Sequence, residues 1–186
     1  HPPMIPPRRC GILWPMQHAP GTLPVMVVLD NVRSLYNTGA FFRTADACAI
    51  EKLVLCGITP RPDQGHRQRH AISKTALGAE HTVPWEYESE TTDAISRAAA
   101  GGYHIAVVET SPDAVDLFRW EPVWPLCLVF GHETTGVTDR VIQAAVTQVQ
   151  IPMRGHKESL NVATAAGVVL YELLRKRMYG SESTLR

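Results

Sequence analysis

Three short polar segments of this chain contain the residue types of a chemical site, and each follows an apolar run. The first polar segment is residues 31–39 followed by Arg43, the second is 131–136, and the third is 151–153 followed by 159–161. The apolar runs before them, at 25–29, 126–130 and 149–151, are typical of buried strands. Ligands of open α/β sheets bind in the crevice beyond the carboxyl ends of the strands. We therefore expect the three polar segments to form one composite site.

The glycines of these segments do not complete either of the two common phosphate-binding motifs. Residues 37–43, which come after the first apolar run, lack the G-x-G-x-x-G pattern of dinucleotide-binding folds. Gly131 and Gly136 have the spacing of a P-loop, but Val137 replaces the lysine that this motif needs for phosphate chemistry. We therefore do not expect an NTPase.

A histidine pair four residues apart, His66 and His70, is the nearest approach to a metal-binding motif. The glutamate of an H-E-x-x-H motif is missing, and Arg67 and Arg69 stand beside the two histidines. A solvated basic turn is the better interpretation, so we expect no metal site.

Composition and charge limit the class of protein. A chain of 186 residues with 45% hydrophobic and 19% charged residues is long enough for one domain with a sizeable core. The net charge is +0, so binding of a nucleic acid would have to use a local patch. No apolar stretch approaches the ~20 residues that cross a bilayer. The four cysteines form no C-x-x-C pair and lie in or beside apolar runs, so we expect reduced, buried thiols in a cytoplasmic protein.

The elements that position the polar segments alternate along the chain. Residues 1–24 are rich in proline and are expected to form an extended arm, either a simple lead-in or a contact for RNA or a second subunit. Strands are predicted near 25–29, 52–56, 82–85, 104–108, 126–130 and 148–151. Helices are predicted near 38–49, 70–77, 91–100, 138–146 and 159–178, with a loop over 57–69. This alternation predicts an α/β fold, with a mostly parallel sheet covered by helices on both faces.

The last predicted helix is apolar on more than one side. Ser159 is the expected N-cap, and Gly180 is expected to end the helix. Apolar and small residues recur at helical spacing at Leu160, Ala163, Gly167, Leu170 and Leu173 or Leu174. Such a helix is either fully buried within one chain or packed between the sheet and a second subunit, and we favour a homodimer.

The three polar segments together resemble the SpoU (TrmH-like) class of the SPOUT RNA methyltransferases. The first motif runs from Leu29 through Asn37 and Gly39 to Ala47, the second is Leu128–Glu133 with Gly136, and the third is Ile151–Met153 with Ser159–Asn161. The resemblance covers about Val25 to Tyr179. It implies a methyltransferase domain at 25–180, followed by a short tail at 181–186.

The resemblance also implies a fold feature and a cofactor. Proteins of this class carry a C-terminal trefoil knot, here expected near residues 131–165, and they transfer a methyl group from S-adenosylmethionine to a ribose 2′-hydroxyl of tRNA or rRNA. By similarity, the residues expected to hold the cofactor are Glu109, Thr110, Gly131, Ile151, Met153, Ser159 and Leu160. The main alternatives are a knotted RNA-binding module without turnover and an enzyme that methylates a base atom.

The polar residues that the resemblance implies in catalysis or substrate positioning are Asn37, Arg43, Glu133, Ser159 and Asn161. A guanidinium group holds its proton throughout the physiological range, so Arg43 suits a two-pronged contact with a phosphate better than general-base work. Purely structural roles stay open for three of them: Asn37 as a helix cap, Glu133 as a holder of loop amides, and Asn161 as a tie between loop and sheet.

A local basic patch could supply the RNA contacts that the net charge does not. Its members are Arg33, Arg61, Arg67, Arg69 and Lys74. If they bind phosphates, affinity should fall steeply with added salt, whereas a solvated surface would give a flat response.

Overall fold

A computed structural model describes residues 21–132 and 134–180, and these residues form a three-layer α/β domain. The strands described are β1 (Leu23–Asp30), β2 (Ile50–Cys56), β3 (Trp85–Glu88), β4 (His104–Val108), β5 (Val115–Asp116), β6 (Leu126–Phe130) and β7 (Thr147–Gln150). The α-helices are α1 (Leu35–Ala47), α2 (Gly65–Ala76), α3 (Thr91–Ala100), α4 (Asp139–Ala144) and α5 (Val162–Tyr179). A single 3₁₀ turn, Ala79–His81, follows α2.

The sheet has the order β3-β2-β1-β6-β4-β7-β5, and every pair of neighbouring strands is parallel. In the centre, Val27 of β1 lies opposite Leu53 of β2 on one side and Leu128 of β6 on the other. Because all strands run the same way, their carboxyl ends and the polar segments that follow lie along one edge.

Alternate residues of β1 enter two separate cores, one on each face of the sheet. Val25, Val27 and Leu29 pack with residues of α1, α2 and α5, whereas Met26 and Val28 pack with residues of α3 and α4. The near-continuous apolar strands arise from this double burial. The predicted α/β class with a parallel sheet and helices on both faces is confirmed, and the threading of the chain through a knot stays a prediction.

Several element boundaries differ from the sequence prediction. The first strand begins at Leu23, so Pro24 lies inside a central strand rather than in the arm. The pairing of β1 with β2 is irregular between Leu23 and Met26, which accommodates a residue without an N–H donor. The third strand is 85–88 instead of 82–85, and α2 begins at Gly65, within the predicted loop. Residues 1–20 of the predicted arm and the tail at 181–186 lie outside the described residues.

The last helix begins later than predicted and buries only part of the predicted apolar set, namely Leu170 and Leu173. Asn161, not Ser159, is its N-cap, because the Asn161 side-chain oxygen accepts hydrogen bonds from the Ala163 and Thr164 amides at 3.0 and 3.3 Å. The side chains buried along α5 are those of Ala166, Val169, Leu170, Leu173 and Lys176. Leu160 remains 38% exposed. Gly180 ends the helix with a φ of +65°, as predicted.

A buried lysine fastens α5 to the segment before β6. The ammonium group of Lys176 donates to the carbonyl oxygens of Phe118 and Trp120 and lies 3.7 Å from a Glu172 carboxylate oxygen. Lys176 is only 7% exposed, so its ammonium group holds this segment in place from within the fold.

The cysteines of the described residues are free and buried, as expected. Burial raises the pKa of Cys48 to about 11 and that of Cys56 to about 12, and it raises the pKa of Cys127 further. Cys10 lies outside the described residues. Among residues 21–132 and 134–180, no helix has both the length and the apolar character to cross a membrane.

Candidate cofactor and RNA site

A cavity of about 200 Å³ opens at the carboxyl ends of β4, β6 and β7. The residues that line it are Val108, Glu109, Thr110, Phe130, Gly131, His132, Thr134, Gly136, Gln150, Ile151, Met153, Glu158, Ser159, Leu160, Val162 and Ala165. All seven residues expected to hold a cofactor are in this set. The second and third polar segments, which are separate in sequence, therefore meet around one cavity.

The second polar segment folds back on itself to make one wall of the cavity. His132 and Gly136 form an antiparallel bridge, with hydrogen bonds of 3.0 Å from each amide to the other carbonyl. A Cβ atom on Gly131 would lie 2.4 Å from the Gly136 carbonyl carbon. Gly136 has a φ of +69°, and a Cβ atom there would lie 2.2 Å from Glu109 Oε2. Both glycines are therefore required by close approach, and neither belongs to a phosphate loop.

Glu109 serves the shape of this wall as well as lining the cavity. Its Oε2 atom accepts a hydrogen bond of 3.0 Å from the Val137 amide, and its Oε1 atom accepts one of 3.0 Å from the Thr110 amide. The His132 ring similarly organises the turn, because Nδ1 accepts from the Thr134 amide at 3.1 Å. Glu133, which was predicted to be catalytic, lies outside the described residues.

The first and third polar segments are joined directly. The Asn161 side-chain amide donates a hydrogen bond of 3.3 Å to the side-chain oxygen of Asn37. Asn37 is not the helix cap considered above, because Ser34 is the N-cap of α1 and its hydroxyl accepts from the Asn37 amide at 3.2 Å. The Asn37 side chain therefore contacts Asn161, which directly follows the cavity-lining residues Ser159 and Leu160 in sequence.

Arg43 does not line the cavity. It is an exposed residue of α1, six positions after Asn37, which is a rise of about 9 Å along the helix axis. The structure thus joins Asn37 to Asn161 and places Ser159 on the cavity wall, whereas Asn37, Arg43 and Asn161 are not among the lining residues.

Arg61 and Arg69 of the basic patch make contacts within the fold. Arg61 pairs with Asp63 at 3.1 Å, and its guanidinium lies 4.3 Å from the centre of the Tyr87 ring. Arg69 donates to the Pro62 carbonyl at 3.3 Å. Arg67 and Lys74 are exposed on α2, not on a loop, and Arg33 is exposed on the first polar segment.

Contacts at the carboxyl edge place α2 and its loop beside the first polar segment. The Asn31 side-chain oxygen accepts from the Ile58 amide at 3.2 Å, and the Thr75 hydroxyl donates to the Tyr36 carbonyl at 2.9 Å. The basic residues of α2 are therefore held on the same edge of the sheet as the polar segments.

Sequence reasoning missed several lining residues, and some of them had a usable signal. Val108 and Gln150 end β4 and β7, so the strand-end rule that located the polar segments would also have selected them. Glu158 and Ala165 carried no such signal, because their position depends on the path between β7 and α5. Within the described part of the chain, no group of three or more His, Cys, Asp or Glu side chains could hold a metal ion.

The sequence matches the model of the SpoU rRNA methylase family over residues 24–171. This match includes all three polar segments and most of the described domain.

Two curated proteins illustrate the relatives. The chain is 34% identical over 155 residues to the 23S rRNA (guanosine-2′-O-)-methyltransferase RlmB of Ralstonia nicotianae, which covers 83% of this chain and 59% of that protein. It is 30% identical over 163 residues to the tRNA (guanosine(18)-2′-O)-methyltransferase of Escherichia coli strain K12, with 86% and 68% covered. The chain therefore spans about three fifths to two thirds of the length of these two relatives.

Two solved structures share the fold. The AdoMet-bound rRNA methyltransferase from Sinorhizobium meliloti superimposes with a TM-score of 0.74 at 28% identity, covering 83% of this chain and 56% of that one. The TrmH/SpoU tRNA modifying enzyme from A. aeolicus gives a TM-score of 0.74 at 26% identity, covering 84% and 76%.

Proposed function

Because this chain belongs to the SpoU rRNA methylase family, we propose that it transfers a methyl group from S-adenosylmethionine to a ribose 2′-hydroxyl of RNA. The observation that carries the proposal is the cavity, which is lined by every residue expected to hold the cofactor. The Asn37–Asn161 hydrogen bond adds the first polar segment to the same region. The named relatives act on tRNA and on rRNA, so both are proposed substrate classes.

The cavity fits S-adenosylmethionine in chemical character. Apolar side chains from Phe130, Ile151 and Leu160 suit the adenine ring, and the glycines leave backbone groups accessible. Carboxylates of Glu109 and Glu158 lie in the same lining and complement a cationic ligand. When bound, the cofactor supplies an electrophilic methyl group on a positively charged sulfur, so the proposed transfer calls for no metal ion.

The proposed roles of the polar residues follow from their positions. Asn37 and Asn161 present a linked amide pair beside the cavity and would orient the ribose, with Ser159 on the cavity wall. Arg43 would grip the phosphate of the target nucleotide through its planar fork, since an exposed guanidinium is suited to phosphate and not to proton abstraction. Glu133 is proposed as a further residue of this set on resemblance alone.

RNA contacts are proposed along the carboxyl edge of the sheet. Arg67 and Lys74 on α2 and Arg33 on the first polar segment are exposed there. Arg61 and Arg69 make contacts within the fold that phosphate binding would have to replace. Positive side chains around the mouth of a site steer a polyanion toward it even when the net charge is zero.

A homodimer in the cytoplasm is part of the proposal. Three large side chains of α5, Tyr171, Met178 and Tyr179, are 54%, 63% and 66% exposed in the single chain. Burial of such surface against a second copy would remove apolar area from water and stabilise the pair. The reduced cysteines agree with a cytoplasmic location.

Methyl transfer with product identification tests the proposed function. The protein is incubated with S-adenosylmethionine that carries a labelled methyl group and with separate tRNA and rRNA fractions, which are then digested to nucleosides. The expected product is a labelled 2′-O-methylnucleoside from one fraction. Labelled base-methylated nucleosides would overturn the ribose assignment, and cofactor binding without transfer to either fraction would indicate a binding module.

A further inference from the structure

We propose that Asp30 is a positioning residue for the cofactor site, which it supports from outside the cavity by anchoring the end of the second polar segment. The inference rests on the proposed function for the identity of the ligand. Asp30 is the last residue of β1 and is 2% exposed. It does not belong to the lining of the cavity.

The carboxylate of Asp30 accepts hydrogen bonds from three donors that belong to three different parts of the chain. Its Oδ1 atom accepts from the Thr91 hydroxyl at 2.6 Å and from the Asn31 side-chain amide at 2.9 Å. Its Oδ2 atom accepts from the Thr138 amide at 3.3 Å. The first two donors fix the orientation of the carboxylate, and this orientation directs the remaining oxygen to the loop that follows β6.

A second carboxylate holds the neighbouring amide of the same loop. Glu109 Oε2 accepts from the Val137 amide, so two consecutive amides are bound by two different acids. The sheet order explains the arrangement, because β6 leads into this loop and lies between β1 and β4. Each neighbour of β6 contributes the carboxylate at or just beyond its own carboxyl end.

The carboxylates of Asp30 and Glu109 hold the cavity wall at the end that leads out of the second polar segment. The wall begins at Gly131, turns through the His132–Gly136 bridge and leaves at Val137 and Thr138. Gly131, His132, Thr134 and Gly136 all line the cavity, whereas Val137 and Thr138 do not. Asp30 would therefore act on the ligand only through the position of this wall.

Replacing the Asp30 carboxylate by an amide tests the hydrogen bond to the Thr138 amide separately from the other two. In the Asp30→Asn variant, one oxygen can still accept from Thr91 and Asn31, but the NH₂ group then faces the Thr138 amide, and two donors cannot pair. The side chain keeps its size and its place in the buried region. The variant thus removes the bond to the loop while it leaves the other two available.

The chain offers a matched control in Glu80, a carboxylate with similar partners elsewhere. Glu80 is 5% exposed and accepts from the Ser73 hydroxyl at 2.5 Å and from the Gly78 amide at 3.0 Å. It lies at the junction of α2 and the 3₁₀ turn and does not line the cavity. Glu80→Gln therefore repeats the same chemical change at a site that serves the fold alone.

Two measurements on the 186-residue chain test the inference. Titration calorimetry gives the affinity for S-adenosylhomocysteine, and hydrogen exchange gives the protection of the Thr138 amide. Asp30→Asn is expected to weaken binding about tenfold, equivalent to ~1.4 kcal/mol, and to accelerate exchange at Thr138. Glu80→Gln is expected to leave both unchanged at a temperature where each variant is folded.

The outcomes separate this inference from the proposed function. Wild-type affinity in Asp30→Asn, or unchanged exchange at Thr138, would overturn the positioning role while the function stands. Failure of the wild type to bind S-adenosylhomocysteine would overturn the proposed cofactor and the ligand part of the inference, and the exchange result would still decide whether Asp30 anchors the loop. A loss of affinity equal in Glu80→Gln would reduce Asp30 to a general contributor to stability.

Discussion

The Asn161 side-chain amide donates a hydrogen bond of 3.3 Å to the side-chain oxygen of Asn37, across 124 positions of sequence. The same Asn161 side chain caps α5 through its oxygen, so one residue fixes the start of a helix and reaches the first polar segment. The two polar groups of the Asn161 side chain therefore have separable roles. The oxygen caps α5, and the NH₂ group binds Asn37 of the first polar segment.

Substitutions at Asn161 should separate these two roles. Asn161→Asp retains an oxygen that can accept from the α5 amides but has no donor for Asn37, so stability should be kept while methyl transfer falls, by about tenfold for one lost hydrogen bond of ~1.4 kcal/mol. Asn161→Ala should show the same fall in methyl transfer and should also lose about 1 kcal/mol of stability. Urea unfolding and initial rates of transfer measure the two effects. Wild-type turnover in Asn161→Asp would show that the hydrogen bond between Asn161 and Asn37 does not contribute to methyl transfer.

If Arg43 binds a phosphate through two N–H groups, replacing it by another positively charged side chain should lower turnover strongly. Arg43→Lys keeps the positive charge but loses the planar pair of donors, so turnover should fall about tenfold or more. Arg119→Lys, which makes the same change at an exposed arginine before β6, should have no effect. Initial rates at saturating cofactor compare the two variants with the wild type. Near-wild-type turnover in Arg43→Lys would contradict the proposed two-pronged contact between Arg43 and a phosphate.

The close packing around Gly39 allows a prediction about stability that does not depend on the proposed function. A Cβ atom at this position would lie 2.1 Å from the Thr75 hydroxyl oxygen and 2.3 Å from the Ile72 carbonyl oxygen, where α1 and α2 cross. Gly39→Ala should therefore lower the free energy of unfolding by about 1–3 kcal/mol.

The control for Gly39 is a second helical glycine with open space around it. Apart from the backbone of its own helical turns and its chain neighbours, no atom lies within 4 Å of a Cβ built on Gly167 in α5. Gly167→Ala should therefore stabilise the chain by about 0.5–1 kcal/mol through the usual preference of helices for alanine. Urea unfolding of both variants provides the test. Equal stability of Gly39→Ala and the wild type would show that α1 and α2 can move apart without a loss in the free energy of unfolding.

The elements that could be predicted from the sequence were those with strong local signals. β1, β4 and β6 are apolar runs buried on both faces, and the predicted ranges fall within them or match them. The polar segments after β6 and β7 located the cavity, because strand ends determine where ligands can bind in this class of sheet.

The elements that were missed depend on tertiary contacts. The strand β3 is a half-exposed segment defined by its pairing with β2, and β5 is two residues long with Val115 exposed. The N-cap at Asn161 could not be separated from Ser159 by residue type, since both side chains can cap a helix. The anchoring roles of Asp30 and Lys176 require knowledge of which distant backbone groups lie beside them.

The buried thiols predict a loss of stability at alkaline pH. Burial raises the pKa of Cys48 from 9.0 to about 11, so between these values the unfolded chain releases a proton that the folded chain keeps. Unfolding is therefore favoured as pH rises, by up to about 1.4 kcal/mol per pH unit for one thiol.

The variant Cys48→Ala tests this linkage. Urea unfolding under reducing conditions at pH 8 and pH 10.5 should show a smaller alkaline loss of stability in Cys48→Ala than in the wild type, and a part of the loss should remain because burial also raises the pKa of Cys56 to about 12. An identical pH dependence in the two proteins would refute the contribution of Cys48.

The most direct test of the composite site is the footprint of S-adenosylmethionine on the intact protein, measured by hydrogen exchange and mass spectrometry. We expect increased protection in peptides covering 134–138, 150–154 and 158–162 together, with α3 unchanged as an internal reference. Protection of only one of these peptides, or protection confined to other parts of the chain, would contradict the claim that the separate polar segments form one cofactor site.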